Sequence, residues 1–227
     1  SSISSTSSSS TSAKQRVLVV GPNADRVATL LSNYPGCKTG PGSAVVGACT
    51  LITPLAGLRA GSKEGVREIT FMEGVHVDDN DTTNFTQVFN AANQSDVVIF
   101  IGGYITCQED GDQCIEAEAR DRASNNNPHN TPMDFGTGLP KEQMALLNML
   151  SKGDIKTTTP IVLVIMSGSG VSVPTLQQSP NVRAIIQLFY PGEEGGNALA
   201  DVIYGKISPS GRLPVTVPTD ESQVRHL

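Results

Sequence analysis

Ser95 to Gly103 reads SDVVIFIGG, five consecutive Val, Ile and Phe residues closed in by Ser-Asp on one side and Gly-Gly on the other. A run this short, rich in β-branched residues and without a polar alternate, fits a strand buried on both faces of a sheet. The same pattern recurs at Val17 to Val20, Ile69 to Phe71, Ile161 to Met166 and Ala184 to Phe189. Between these runs, Asp25 to Tyr34, Phe85 to Ala92, Lys141 to Leu150 and Gly196 to Tyr204 place apolar residues three and four apart, as an amphipathic helix does. Strand alternating with helix predicts an α/β fold, a three-layer sandwich with a mostly parallel sheet and helices on both faces. Arg212 to Val217 is expected as an edge strand near the C-terminus, because Pro214 is tolerated in a sheet only at an edge.

In open parallel sheets, ligands meet the loops that leave the carboxyl ends of the strands. Here SDVVIFIGG leads into TCQEDGDQCIEAEARDR, Thr106 to Arg122, and then into a polar insertion, Ala123 to Gly138. Glu116 and Glu118 alternate with alanines, so in an extended segment both carboxylates project to one side. Arg120, Asp121 and Arg122 stand close enough in sequence to shift the two carboxyls' proton affinities in opposite directions, the arrangement general acid/base chemistry needs. The bland alternative is a solvated acidic loop held by Arg120 and Arg122. A calcium loop is a further alternative, since Asp110-Gly111-Asp112 resembles part of an oxygen-ligand run, but the Gly and the closing Glu miss the EF-hand offsets.

Other exits point less clearly to chemistry. Gly21-Pro22-Asn23-Ala24-Asp25 follows the first strand where a nucleotide-binding loop would lie, but it has neither the dinucleotide nor the P-loop glycine pattern and reads as a structural turn. Ser167-Gly168-Ser169-Gly170 departs from the G-x-S-x-G frame, and no partnered His follows before His226, which argues against a serine hydrolase. Tyr190 to Gly196 (YPGEEGG) opens a helix, with Glu193 and Glu194 placed where carboxylates favour the macrodipole.

Composition narrows the class. The chain has 227 residues, 38% of them hydrophobic, enough for one ordinary domain. Residues 1–15 begin with an almost pure Ser/Thr run and read as a linker or tail, with one domain over 16–227. A net charge of -6 without a Lys/Arg run disfavours a nucleic-acid partner, no apolar stretch is long enough for a membrane span, and no signal peptide is visible at the N-terminus. The cysteines fall in two local pairs, Cys37 with Cys49 and Cys107 with Cys114, each closing a short loop. Zinc is the competing reading, but there is no C-x-x-C, and His129 alone stands near them, so no metal and no cofactor is expected. Sequons at Asn80, Asn84 and Asn93 combine with the paired cysteines to suggest a secreted protein or one of a lysosome- or vacuole-like compartment.

The segment YPGEEGGNALADVIYGKISPSGRLPVTVP, Tyr190 to Pro218, resembles the signature of the C-terminal α/β-sandwich domain of glycoside hydrolase family 3. VLVVGPNAD (Val17 to Asp25), TPLAGL (Thr53 to Leu58), SDVVIFIGG, IEAEARDR (Ile115 to Arg122), Leu139-Pro140 with Gln143, and IVLVIMSGSGV (Ile161 to Val171) match the same family in order. Collinear matches over nearly the whole chain are more specific than any one of them.

The resemblance implies a retaining glycosidase, in which a carboxylate nucleophile forms a glycosyl-enzyme and a second carboxyl protonates the leaving oxygen and then activates water. In the family the nucleophile is an Asp of a preceding barrel, which these 227 residues do not contain, while the sandwich domain lends the acid/base Glu. The family's spacing of that Glu three residues before an Asp-Arg pair is matched by Glu118, Asp121 and Arg122, so Glu118 is the implied acid/base, with Glu116 in reserve and Arg120, Asp121 and Arg122 as substrate-binding neighbours. The expected partners are a β-linked oligosaccharide or glycoside substrate, of β-xylosidase or β-glucosidase type, and the upstream barrel of the same polypeptide. Alone, the chain is expected to be inactive. The alternative is a non-catalytic carbohydrate-binding or interaction module with the same fold, although 4% aromatic residues and no Trp leave little for a sugar-stacking platform.

Overall fold

The computed structural model describes residues 14–31, 49–63, 67–77, 81–105, 138–152, 159–219 and 223. Among these residues, five strands form one parallel sheet: β1 (Gln15–Val20), β2 (Arg67–Met72), β3 (Val97–Gly103), β4 (Ile161–Met166) and β5 (Val182–Gln187), in the spatial order β2-β1-β3-β4-β5. The helices are α1 (Pro54–Gly61), α2 (Phe85–Asn93), α3 (Lys141–Lys152), α4 (Pro174–Gln177) and α5 (Gly195–Ile203).

The uninterrupted apolar runs are explained by the two cores they serve. Along β1, Leu18 and Val20 face one helical layer while Val17 and Val19 face the other, and β3 and β4 alternate in the same way. Val88, Leu146, Leu147 and Leu176 bring α2, α3 and α4 onto the first face, and Leu55, Leu58, Leu199 and Ala200 bring α1 and α5 onto the second. With both faces covered, Val17 to Val20 of β1 and the lengths of β3 and β4 leave no position for a polar alternate, and only the exposed first residues of β1, Gln15 and Arg16, are polar.

Two helices had no expectation of their own. Thr53 caps α1 by accepting a hydrogen bond from the Ala56 N–H at 3.2 Å, and Pro54 occupies the first turn, where its missing N–H costs nothing. Asp25 accepts from the Thr53 hydroxyl at 2.7 Å and so holds the cap. At α4, Pro174 starts a single turn that buries Leu176.

Two expected elements differ among the described residues. Of Asp25 to Leu31, Val27–Leu30 is helical, as one 3-10 turn, because Arg26 and Leu31 are both extended; residues 32–34 of the expected helix lie outside the described set. Arg212 to Val217 is not an edge strand. It runs past the Gly170 to Ser172 loop, where Val217 packs against Gly170 and Ser172 donates to the Thr219 carbonyl at 3.0 Å. Pro214 removes a ladder donor, and Leu213 and Val215 are 56% and 58% exposed rather than folded onto the sheet.

The helical layer of α1 and α5 is held together by glycine. A Cβ on Gly57 would lie 2.1 Å from the Gly196 backbone, and one on Gly196 would lie 2.1 Å from the Thr53 carbonyl oxygen. Gly196 donates to the Ile52 carbonyl at 3.0 Å, and Ile52 donates to the Glu193 carbonyl at 2.9 Å. The YPGEEGG segment is therefore a docking surface for α1 as well as a helix start. At the far end of the pair, Tyr204 donates to the Leu58 carbonyl at 2.6 Å and lies beneath the Arg67 guanidinium, 4.3 Å from its ring centre; burial pushes the Tyr204 phenol up.

Candidate functional site at the sheet switch point

All five strands point their carboxyl ends to one edge, and the order reverses between β1 and β3. α1 leads from β1 to the outer strand β2 across one face, whereas α3 and α4 lead from β3 to β4 and β5 across the other. Doubly wound sheets of this flavodoxin-like order bind ligands in the crevice at that reversal, outside the strand ends. The described residues put Asn23 on the β1 side of this crevice and Gly103 and Tyr104 on the β3 side.

Glu116, Glu118, Arg120, Asp121 and Arg122 lie outside the described residues, as do Asp110, Asp112, Cys37, Cys107 and Cys114. What is described is the base from which that segment departs and to which the chain returns. β3 runs beyond β1: their last paired residues are Val20 and Phe100, yet β3 continues to Gly103. On the side that β1 vacates, Asn23 N–H donates to the Ile101 carbonyl at 3.2 Å, and the Gln143 amide takes over from a strand. Gly103 N–H donates to Gln143 Oε1 and Gln143 Nε2 donates to the Gly103 carbonyl, both at 2.8 Å. Tyr104 N–H donates to the Met166 carbonyl at 2.8 Å, and Asn23 Nδ2 donates to the Tyr104 carbonyl at 3.2 Å. The Tyr104 hydroxyl donates to the carbonyl of Gly138, where the chain comes back ahead of α3.

Asn23, Tyr104 and Gln143 are all fully buried. Such polar groups are costly to desolvate unless paired, and this network pairs nearly all of them; within it, Asn23 Oδ1 has no partner among the described residues. Glycine is required at the two strand-end positions. Gly103 has φ of 127° and its Cβ would lie 1.9 Å from the Met166 carbonyl oxygen, while a Cβ on Gly102 would lie 2.3 Å from Gln143 Oε1.

The neighbouring exits carry structure rather than chemistry. Ser167 is buried, donates to the Ser169 carbonyl at 2.6 Å and accepts from Gln187 Nε2 at 2.9 Å, so its hydroxyl closes a turn and does not face a base. Asp25 is occupied with the α1 cap. Glu194 Oε2 accepts from Asn197 Nδ2 at 2.6 Å across the first turn of α5. Among the described residues, no group of three or more His, Cys, Asp or Glu side chains is placed to hold a metal ion, and no helix is long and apolar enough to cross a membrane.

From the sequence, Gln143 is legible only as a match to the family pattern, with no role attached, and Tyr104 is not legible at all. Gln143 stands in the first turn of α3 among exposed-type residues, and its partner is the backbone of a residue 40 positions away. Asn23 left a faint signal, a polar residue inside a Gly-Pro turn directly after a buried strand.

A doubly wound domain whose β3 exit is held by buried polar side chains at the switch point defines a class of fold, and comparison with known proteins makes it specific. Residues 11–226 match the family model of the glycosyl hydrolase family 3 C-terminal domain, and the chain belongs to that family. It is 34% identical over 209 residues to an exo-1,4-β-xylosidase of Emericella nidulans, covering 92% of this chain and 21% of the relative. It is also 34% identical to β-D-xylosidase 3 of Arabidopsis thaliana, covering 91% of this chain and 22% of that protein. A family 3 exo-β-xylosidase solved with a xylobiose aziridine activity-based probe superposes with a TM-score of 0.67 at 32% identity, covering 88% of this chain and 21% of that one. The chain thus spans about a fifth of the length of the relatives it matches.

Proposed function

We propose that this chain is the sandwich domain of an exo-acting retaining β-glycosidase of the β-xylosidase type, supplying the acid/base carboxylate to an active site shared with a barrel domain of the same polypeptide. Glu118 is the proton donor, with Glu116 the reserve and Arg120, Asp121 and Arg122 the neighbours that orient substrate and carboxylate. The observation that carries this reading is the position of IEAEARDR: it follows the strand whose carboxyl end borders the switch point, where sheets of this order bind ligands. The xylosidase names of the relatives favour xylosides over glucosides.

Residues 1–13 serve as the linker to the preceding domain, and the folding unit begins with β1, whose first residue is Gln15 rather than the expected Arg16. Ile207, Leu213 and Val215, exposed after α5, offer apolar surface to that domain. Cys49 is disulfide-bonded, and pairing with Cys37, together with glycosylation at the exposed Asn84, suits a secreted or vacuole-like location.

Two assays test the reading. The isolated chain should give no turnover of xylobiose or p-nitrophenyl β-D-xyloside, whereas the full-length protein should release xylose with retained anomeric configuration. Titrated with xylo-oligosaccharides, the isolated chain should bind more weakly than about 1 mM. Turnover by the chain alone would show a complete active site, and micromolar binding would favour a carbohydrate-binding module.

A further inference from the structure

We infer that Gln143, Tyr104 and Asn23 form a positioning clamp that sets the trajectory of the segment carrying the acid/base carboxylate, and that they act on the reaction through proton transfer. The inference rests on the proposed role of Glu118. Its physical basis is the completeness of the anchor described above. Both backbone polar groups of Gly103, both of Tyr104 and the Tyr104 hydroxyl are engaged, in a place where β1 has ended and the sheet can no longer supply partners on that side.

Three separate elements make these bonds: the β1 exit through Asn23, the β4 end through Met166, and the first turn of α3 through Gln143. The Tyr104 hydroxyl adds a tie between the departing and returning ends of the 106–137 segment by bonding Gly138. A surface loop without a task needs no such base, since chain leaving a strand ordinarily satisfies its polar groups with water. Burying a Gln, an Asn and a Tyr to fix two residues is explained if what lies beyond must arrive at a set position. Proton transfer requires the donor within hydrogen-bond reach of the leaving oxygen, and a displacement near 1 Å can cost about 100-fold. None of the three residues is assigned contact with substrate; Gln143 and Asn23 act through the backbone of Gly103 and Tyr104, and the Tyr104 hydroxyl through the carbonyl of Gly138.

The test uses the full-length enzyme with Tyr104→Phe, Gln143→Leu and, for reference, Glu118→Ala and Glu116→Ala. For each variant, kcat/KM is measured on xylobiose, whose leaving group needs protonation, and on 2,4-dinitrophenyl β-D-xyloside, whose leaving group does not, alongside the thermal midpoint. Tyr104→Phe removes one hydroxyl and should lower kcat/KM on xylobiose roughly 10-fold, and Gln143→Leu roughly 100-fold, with changes under about threefold on the dinitrophenyl substrate. A merely structural role would lower the midpoint and reduce both substrates in parallel. Parallel losses, or no loss on xylobiose, while a Glu variant shows the leaving-group-dependent defect would overturn the clamp and leave the acid/base reading standing. If neither Glu variant shows that defect, the acid/base assignment falls and the clamp falls with it. Should Gln143→Leu fail to fold, Tyr104→Phe decides.

Discussion

Glu118→Ala in the full-length enzyme is expected to lower kcat/KM on xylobiose by roughly 1,000-fold, within the span that loss of a positioned general acid produces. On dinitrophenyl xyloside the loss should stay under about tenfold, because that leaving group departs without a proton and only the donated proton has been removed. The glycosyl-enzyme should then accumulate, since the same carboxylate activates water in the second step. Azide, a nucleophile that needs no general base, should restore turnover and yield a glycosyl azide. The pH profile should lose its basic limb, which arises from deprotonation of the acid. Equal losses on both substrates with no azide effect would transfer attention to Glu116, and the same pair of assays on Glu116→Ala would decide between them.

The second large effect concerns stability. Gly57→Ala should destabilise the domain by about 3 kcal/mol or more, the upper end for overpacking, because the added methyl would lie 2.1 Å from the carbonyl carbon and oxygen of Gly196 and 2.7 Å from the Asn197 nitrogen. These are backbone atoms and cannot turn aside as a side chain can. For a domain of about 200 residues this corresponds to a fall in thermal midpoint of roughly 6–12 °C, or to loss of soluble protein. Gly211→Ala is the matched control: nothing lies within 4 Å of its added methyl and its φ is not positive, so its midpoint should barely move. A Gly57→Ala midpoint close to that control would mean that α1 and α5 separate easily, and the close glycine contact would not be what holds that layer.

Much of the fold was legible because its strongest signal is local. Val17 to Val20, Val97 to Ile101 and Ile161 to Met166 are apolar at every position, and such runs have few uses other than a strand covered on both faces. α2, α3 and α5 were legible for the same reason, from the spacing of residues such as Val88 and Ala92, Leu146 and Leu150, and Leu199 with Ala200. α1 was less so: Pro54-Leu55-Ala56-Gly57-Leu58 contains a proline and a glycine within five residues, and its helix depends on the Thr53 cap and on contact with α5, neither of which is a property of the segment alone. The Asp25 to Tyr34 pattern failed in the opposite direction. Its spacing suits a helix, but the chain has to turn at Leu30, which is pinned under the Gly192 N–H at 2.8 Å.

The candidate site divides along the same line. Glu116 and Glu118 stand out in the sequence as charges gathered after a buried strand, whereas Gln143 shows there only as part of a family match and Tyr104 not at all. A Gln on a helix looks the same whether it faces water or completes a sheet.

Sequence alone therefore determined the alternation of strand and helix and the carboxylates that follow β3, each carried by residues close together in the chain, and the family, carried by short local matches that recur in order along it. Tertiary structure decided the strand order that creates a switch point, the glycine contact between α1 and α5, the withdrawal of Arg212 to Val217 from the sheet, and the pairing of Gln143 with Gly103. The physical reason is that burial periodicity is written locally, while backbone hydrogen-bond partners and close approaches exist only once distant segments meet.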